Sequence, residues 1–179
     1  MPYARTMRTM HHQPGIFHPR RCTCQPVLRT YATSSGSLPE GIQLVVTDRI
    51  VHRKSVFVGR ACRITDPSQV PPVIAFLRSE RRIAKASHPT IYAYRCQVGS
   101  VLHHGNDDDG EHDAGGRIAG LLQILDVNNV LVIVTRYFGG TLLGADRFKL
   151  ISQAAREALK LGGFIEKIDE STKSGKGKK

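Results

Sequence analysis

Four carboxylates stand within five residues of this chain. They are Asp107, Asp108, Asp109 and Glu111, in the run Asp-Asp-Asp-Gly-Glu. Carboxylate oxygens are the ligands that a hard cation such as Mg²⁺ prefers, so a metal site is one interpretation of the segment. The alternatives are a polar recognition loop and a solvated turn ahead of a helix that Asp113 could cap. The sequence favours these two alternatives, so we predict no metal ligand here.

A second candidate for chemistry is Arg136, which follows an apolar run and stands just ahead of Gly139 and Gly140. Glycines permit positive φ and close backbone approach. Open N–H groups beside an arginine would suit an anionic ligand or a carboxylate. The internal alternative, which we favour, is that Arg136 pairs with the acids at 108–111 and ties the two segments together.

The remaining polar residues form no catalytic motif. His103, His104 and His112 have neither a cysteine nor a helical partner at ligand spacing, so titrating surface positions are expected. No nucleophile elbow occurs in the chain, and the aromatic pair at 137–138 is more typical of packing than of base stacking. We predict no catalytic residue and no cofactor. The predicted partner- or ligand-binding residues are Asp108, Asp109, Glu111, Arg117, Arg136, Tyr137, Gly139, Gly140 and Arg147.

The formal charge of +11 comes mainly from the two ends of the chain. Residues 1–31 hold five arginines and no acid, and residues 173–179 hold four lysines and no acid. Without those nine residues the body has 17 basic residues against 15 acids, a net charge of +2. A basic groove for nucleic acid is therefore not indicated in the body, although the lysine tail could add non-specific affinity for RNA.

The first 39 residues have the composition of a targeting leader. They contain no acid, are rich in Arg, Ser, Thr and His, and lack the apolar core of about 7–15 residues that a secretory signal needs. The segment Arg29-Thr30-Tyr31-Ala32 resembles the cleavage pattern of mitochondrial matrix processing, with the cut after Tyr31. We predict a disordered transit peptide over residues 1–39 and a location in the mitochondrial matrix. The alternative is a disordered basic extension of a cytoplasmic protein.

Hydrophobic periodicity predicts the elements that must position these residues. The expected order is an extended segment over 41–51, a half-buried strand over 55–65, a helix opened by Pro71-Pro72, a strand over 91–98, a polar loop over 103–113, a short helix around 118–125, a strand buried on both faces over 130–135, and a helix from about Asp146 to Gly162. Strands and helices alternate, so we predict one α+β domain over residues 40–168 and a disordered basic tail over 169–179. No apolar run approaches the roughly 18 residues needed to span a bilayer, and no membrane contact is predicted.

Several segments, taken together, closely resemble the Impact family. The matching pieces, in order within residues 48–162, are Arg53-Lys54-Ser55 with Phe57, Lys85 to His88 leading into Ile91-Tyr-Ala-Tyr-Arg95, Asp108-Asp-Gly-Glu111, Ala114-Gly-Gly-Arg117, Asn129 to Gly140, Leu143-Gly144 and Asp146-Arg147-Phe148. The resemblance implies a single-domain sandwich of a mixed β-sheet with helices. This is the ribosomal-protein-S5-domain-2-like fold, which RNase PH-type exonucleases share.

The resemblance also implies a function. Eukaryotic Impact proteins are translational regulators that bind the large ribosome-associated activator of the amino-acid-starvation kinase and so restrain phosphorylation of the initiation factor. A chain similar to them is expected to be a non-enzymatic regulatory protein of translation control and the stress response, with a protein partner. Two alternatives stay open, namely an RNA- or ribosome-binding protein of mitochondria and a metal- or phosphate-dependent enzyme.

Overall fold

A six-stranded sheet forms the centre of the fold in the computed structural model, which describes residues 38–165. The strands are β1 (Leu44–Val46), β2 (Ile50–His52), β3 (Ser55–Arg63), β4 (His88–Val98), β5 (Val101–Asp107) and β6 (Val130–Tyr137). The helices are α1 (Val70–Ser79), α2 (Arg81–Ala84), α3 (Ala114–Ile124) and α4 (Asp146–Leu161), with a 3-10 turn at Pro67–Gln69 ahead of α1. The predicted leader up to residue 37 and the predicted tail lie outside the described residues.

The sheet is built around β6, whose neighbours are β3 and β4. The strand order is β1-β3-β6-β4-β5, with β2 also paired to β3, and each of these pairings is antiparallel. β3 and β4 consequently run in the same direction on either side of β6, and all neighbouring strands in the sheet are antiparallel. β6 is buried from Val130 to Arg136, as its continuous apolar run predicts.

Alternate residues of β6 face two different hydrophobic cores. Val132 and Val134 pack with residues of α3 and α4, whereas Leu131 and Ile133 pack with residues of α1. Helices therefore cover both faces of the sheet, and the predicted α+β sandwich is confirmed. No helix within residues 38–165 has both the length and the apolar character that a membrane crossing requires.

The prediction of a half-buried strand over 55–65 is wrong, because β3 lies between β6 and the β1–β2 pair and is buried on both faces. Its charged residue Arg60, which interrupts the apolar pattern, is itself buried and donates to Thr135 Oγ1 at 2.6 Å. On the other face, α4 approaches so closely that a Cβ on Gly59 would lie 2.2 Å from the backbone oxygen of Ala154. Only glycine fits at this position.

The prediction of a polar loop over 103–113 is wrong in its first half, where the chain forms β5. Gly99, with a φ of 57°, allows a tight turn that pairs Val98 with Val101. β5 is an edge strand and most of its residues are exposed, so its polar sequence lacks the apolar alternation of a half-buried strand. β4 also begins earlier than predicted, at His88, with an irregularity in its pairing between His88 and Ile91.

Candidate functional site

The ends of three strands bring the predicted site residues together. Arg136, near the end of β6, is paired with His88 at the start of β4 and with Phe57 on β3. Residues 107–111, which we call the acidic segment, begin at the last residue of β5 and lead into α3, which packs against β4. The ends of these strands therefore place Arg136 beside the acidic segment, as the favoured interpretation of the sequence requires.

Three basic side chains converge on the carboxylate of Glu111, which is 6% exposed. Arg136 Nη1 donates a hydrogen bond to Glu111 Oε2. Arg147 Nε lies 2.8 Å from Oε1, and His88 Nε2 lies 3.3 Å from Oε2. A carboxylate removed from water is stable only when it is paired in this way. We call these four residues the Glu111 cluster, and they confirm the predicted pairing of Arg136 with the acidic segment.

The hydrogen bonding within the Glu111 cluster is incomplete. The Nε atoms of Arg136 and Arg147 are buried and make no aligned hydrogen bond with a described residue. The short distance from Arg147 to Glu111 is therefore a charge contact rather than a well-directed hydrogen bond. His88 is bounded by two acceptors, since its Nδ1 lies 3.0 Å from the Asp109 backbone oxygen and its Nε2 faces Glu111.

The carboxylate of Asp108 caps α3. It accepts hydrogen bonds from the backbone N–H groups of Asp113 at 3.1 Å and Gly115 at 2.7 Å. The prediction that the side chain of Asp113 caps this helix is wrong, because Asp113 occupies the N-cap position with a left-handed φ of 64° and makes no side-chain cap. Gly115 is required here, since a Cβ would lie 2.7 Å from the Asp107 backbone oxygen.

Hydrogen bonds of the Asp109 side chain connect the acidic segment to the start of β4. Its carboxylate accepts from the Thr90 backbone N–H at 2.6 Å and from Arg78 Nη2 at 2.9 Å. Asp107 in turn accepts from the Asp109 backbone N–H at 2.7 Å. The side chain of each acidic residue in this segment, Asp107, Asp108, Asp109 and Glu111, thus accepts a hydrogen bond from another group of the protein. Within residues 38–165 no three His, Cys, Asp or Glu side chains are grouped as metal ligands.

In the turn after β6, two of the N–H groups that could have been open to a ligand are bonded within the protein. The Phe138 N–H donates to Ser87 Oγ at 2.9 Å, and the Gly139 N–H donates to Ser55 Oγ at 3.1 Å. Gly139 crosses the chain at Lys54 so closely that a Cβ would lie 2.1 Å from a backbone carbon of Lys54. These residues therefore close the end of the sheet, and Phe138 is left 46% exposed.

An aromatic ring links the Glu111 cluster to a further arginine. The guanidinium carbon of Arg117, on α3, lies 4.1 Å from the centroid of the Phe148 ring on α4. The guanidinium carbon of Arg147 lies 4.2 Å from the same centroid. Contacts of this kind are favourable cation–π interactions and orient the flat guanidinium group. Two arginines are thus held against one ring at the α3–α4 seam.

Comparison with known proteins establishes the family. A family model described as the Impact N-terminal domain matches residues 53–159, which is more than half of the chain. The chain belongs to the Impact family. Protein IMPACT-B of Xenopus tropicalis is 45% identical over 130 residues, which cover 72% of this chain and 41% of that protein. Protein IMPACT of Homo sapiens is 42% identical over 133 residues, which cover 73% of this chain and 41% of that protein.

Solved structures agree with the Impact assignment. The structure of the two-domain translational regulator Yih1 is 34% identical, with a TM-score of 0.50, and the match covers 78% of this chain and 55% of that one. A crystal structure of a hypothetical protein, 22% identical with a TM-score of 0.54 over 65% of this chain and 56% of that one, shares the fold. The chain spans less than half the length of the two IMPACT relatives and just over half of Yih1.

The predicted site residues of this Impact chain divide into two groups. Glu111, Arg136 and Arg147 meet directly, and Arg117 joins them through Phe148. The second group contributes to local structure around this site. Asp108 and Asp109 hold the acidic segment, Tyr137 donates from its hydroxyl to the Arg82 backbone oxygen at 3.1 Å, and Gly139 and Gly140 shape the turn.

Two residues of the site, His88 and Phe148, are missing from the predicted set. Both stand inside segments that carry the Impact resemblance, at the end of Lys85 to His88 and of Asp146-Arg147-Phe148. The available signal was therefore a lone histidine just before a strand and an aromatic residue directly after an arginine. Neither signal predicts the contact that the residue makes, because His88 and Glu111 are 23 positions apart in the sequence and Arg117 and Phe148 are 31 positions apart.

Proposed function

We propose that this chain is a non-enzymatic binding module of translation control. It acts by contacting a protein partner through the end of the sheet that carries the Glu111 cluster. Family membership supports the connection with translation, since Yih1 is a translational regulator. The observation that carries the proposal is the internal engagement of the acidic segment. Asp108 caps a helix, Asp109 holds the start of β4, and Glu111 is shared by three basic groups.

That engagement favours binding over catalysis. A general base or a metal ligand needs a carboxylate oxygen that can reach a substrate or an ion. The contacts of the acidic segment instead make it a rigid support, which presents the exposed groups around it in a defined arrangement. Rigid presentation lowers the ordering cost of binding a partner and is the property that a recognition surface needs.

The second candidate function is binding to RNA or the ribosome. The exposed Phe138, the arginines at the α3–α4 seam and the basic tail favour it, because single-stranded nucleic acids bind to combinations of aromatic and basic side chains. The nearly balanced charge of the body counts against it. We therefore place RNA affinity in residues 173–179 and protein contact in the folded domain.

We further propose that the chain is imported into the mitochondrial matrix and cleaved after Tyr31. The support is the acid-free, arginine-bearing composition of residues 1–39 and the segment Arg29-Thr30-Tyr31-Ala32. N-terminal sequencing of the protein purified from its own cells should then start at Ala32. If the bulk of the protein starts at Met1 or Pro2, the import proposal is wrong and the cytoplasm becomes its place of action.

The functional proposal is tested in cells that lack the chain and are then supplied with it again. Cytosolic and mitochondrial protein synthesis are measured separately, with and without amino-acid limitation, by labelling of new polypeptides. We expect synthesis in one compartment to change on loss of the chain and to return on re-supply. Translation-associated proteins should co-purify with the tagged chain after RNase treatment. Unchanged synthesis in both compartments contradicts the proposal, and capture that disappears with RNase favours the RNA alternative.

A further inference from the structure

We propose that Arg117 and Arg147, held against Phe148, form a clamp for a carboxylate of the protein partner. The clamp lies at the seam between α3 and α4, and its occupant is an acidic side chain on a short segment of that partner. This inference rests on the proposed protein-binding function and adds the place and the chemistry of the contact.

The two arginines differ in the donors that they can offer to a partner. Arg147 Nε lies 2.8 Å from Glu111 Oε1 and its Nη1 donates to the Gly144 backbone oxygen at 3.1 Å, which leaves Nη2 for a ligand. The guanidinium carbons of Arg117 and Arg147 lie 4.1 Å and 4.2 Å from the Phe148 centroid. Arg117 can bind a carboxylate in a two-pronged manner, and Arg147 can add a single N–H contact through Nη2. The ring therefore orients both cations before any partner arrives, and less rotamer freedom is lost on binding.

The charges at the seam are not balanced internally. Glu111 serves Arg136 and Arg147 together. Arg117 is exposed, and within residues 38–165 its side chain has no hydrogen bond or ion pair to an acid. The neighbouring acid on α4, Asp146, accepts a hydrogen bond from Lys149 Nζ at its Oδ1 over 3.0 Å, and this hydrogen bond lowers the pKa of Asp146. Of the three arginines at this place, Arg136 and Arg147 share Glu111, whereas Arg117 contacts the Phe148 ring and no acid of the described residues. A carboxylate from a partner would supply Arg117 with the acid that it lacks.

The surroundings select a protein acid over a nucleic-acid backbone. Arg117 stands one turn after Asp113, whose backbone oxygen accepts from the Arg117 N–H at 3.3 Å, and the exposed Asp107 precedes them on β5. A polyphosphate chain that reached Arg117 would extend past these carboxylates and be repelled, whereas a single acidic side chain contacts only the clamp. The Phe148 ring, already in contact with two guanidinium groups, is also a poor stacking platform for a base.

Arg63 provides a matched control for Arg117. It is also an exposed arginine against an aromatic ring, with its guanidinium carbon 5.4 Å from the Phe164 centroid. It lies at the opposite end of the sheet, because Arg63 pairs with Val130 at the start of β6 and Arg136 stands near the end of that strand. Arg117→Glu and Arg63→Glu change the net charge of the chain equally.

The test uses the full chain and a short fluorescein-labelled peptide with one Glu among Ser residues, with the corresponding peptide that has Gln in place of Glu as a reference. Fluorescence anisotropy is measured at about 0.15 M salt, which screens the attraction between the peptide and charges more than about 8 Å away from it. We expect Arg117→Glu to weaken binding by about tenfold or more, Arg63→Glu to stay within about twofold of the original chain, and Arg117→Lys to fall in between. Equal binding by the Arg117→Glu and Arg63→Glu variants overturns the clamp.

The peptide's position is tested with a photo-crosslinking group beside its glutamate, followed by mass spectrometry. Crosslinks to residues of α3 or α4 support the clamp, and crosslinks confined to residues 173–179 overturn it. An unlabelled single-stranded RNA that displaces the peptide, and that itself loses affinity in Arg117→Glu, overturns the assignment to a protein acid.

A capture experiment separates this inference from the proposed function. The tagged original chain, Arg117→Glu and Arg63→Glu are each crosslinked in cells, and the partners are quantified. Loss of translation-associated partners from Arg117→Glu alone supports the clamp. Equal capture by all three chains overturns the clamp and leaves the proposed function standing, whereas no capture by the original chain contradicts the function itself.

Discussion

Replacing Glu111 with alanine removes the one carboxylate that three basic side chains share. The side chain of Arg136, only 7% exposed, would then keep its charge in the interior with no acid beside it, whereas Arg147, 27% exposed, can turn towards water. Breaking a buried ion pair from one side costs about 3–5 kcal/mol, so we expect Glu111→Ala to lower the free energy of unfolding by about 4 kcal/mol. Arg136→Ala leaves Glu111 with two partners, and its cost should be smaller, about 3 kcal/mol.

The measurement is urea unfolding followed by circular dichroism, with the denaturant slope checked for constancy between variants. A double-mutant cycle of Glu111→Ala and Arg136→Ala should give a coupling free energy of about 1–3 kcal/mol. Lys149→Ala is the control, because Lys149 is 81% exposed and lies 3.0 Å from Asp146, so its loss should cost under about 1 kcal/mol. A loss for Glu111→Ala as small as the control, or strict additivity in the cycle, refutes the reasoning.

Three further predictions concern the fold. Asp108→Ala removes the side-chain cap of α3 and should cost about 1 kcal/mol in thermal unfolding, and an unchanged melting temperature would contradict the assignment of the cap. Gly59→Ala forces a methyl group against α4 and should cost about 2 kcal/mol or prevent folding, so an unchanged melting temperature would disprove the close approach. Burial raises the pKa of the Cys62 thiol from 9.0 to about 12, so the unfolded chain loses its proton first and stability should fall as the pH rises above 9.0. Cys62→Ala should remove that part of the alkaline decline, and an identical pH profile for the variant would contradict it.

The elements with strong, continuous patterns could be predicted from the sequence. The apolar run of β6 indicates a strand covered on both faces, and the same logic places Arg136 at its end. The pairing of Arg136 with an acid at 108–111 could be predicted because one helix and one strand separate them in the sequence. A helix followed by an antiparallel strand can return the chain to the end of the sheet from which it started. The charges at the two ends were then complementary, and the structure pairs Arg136 with Glu111.

The errors arise where tertiary context decides. Asp113 precedes a helix and has the right side chain for a cap, but its left-handed backbone prevents this role and Asp108 takes it. β5 was missed because an edge strand needs no apolar alternation, although Gly99-Ser100 was a hairpin signal. The contact of Arg117 with Phe148 depends on how two helices meet, which no local pattern encodes.

The position of Glu111 has a consequence for the order in which the domain can be completed. Its partners come from the start of β4, the end of β6 and the first turn of α4, so the last of them to leave the ribosome is Arg147. Until α4 follows, Gly59 and the apolar face around it stay uncovered, and Arg136 and His88 alone must hold the carboxylate. A nascent chain that stalls before α4 therefore exposes both an apolar face and an unfinished charge network. We therefore expect the domain to resist proteases only after its final helix has docked.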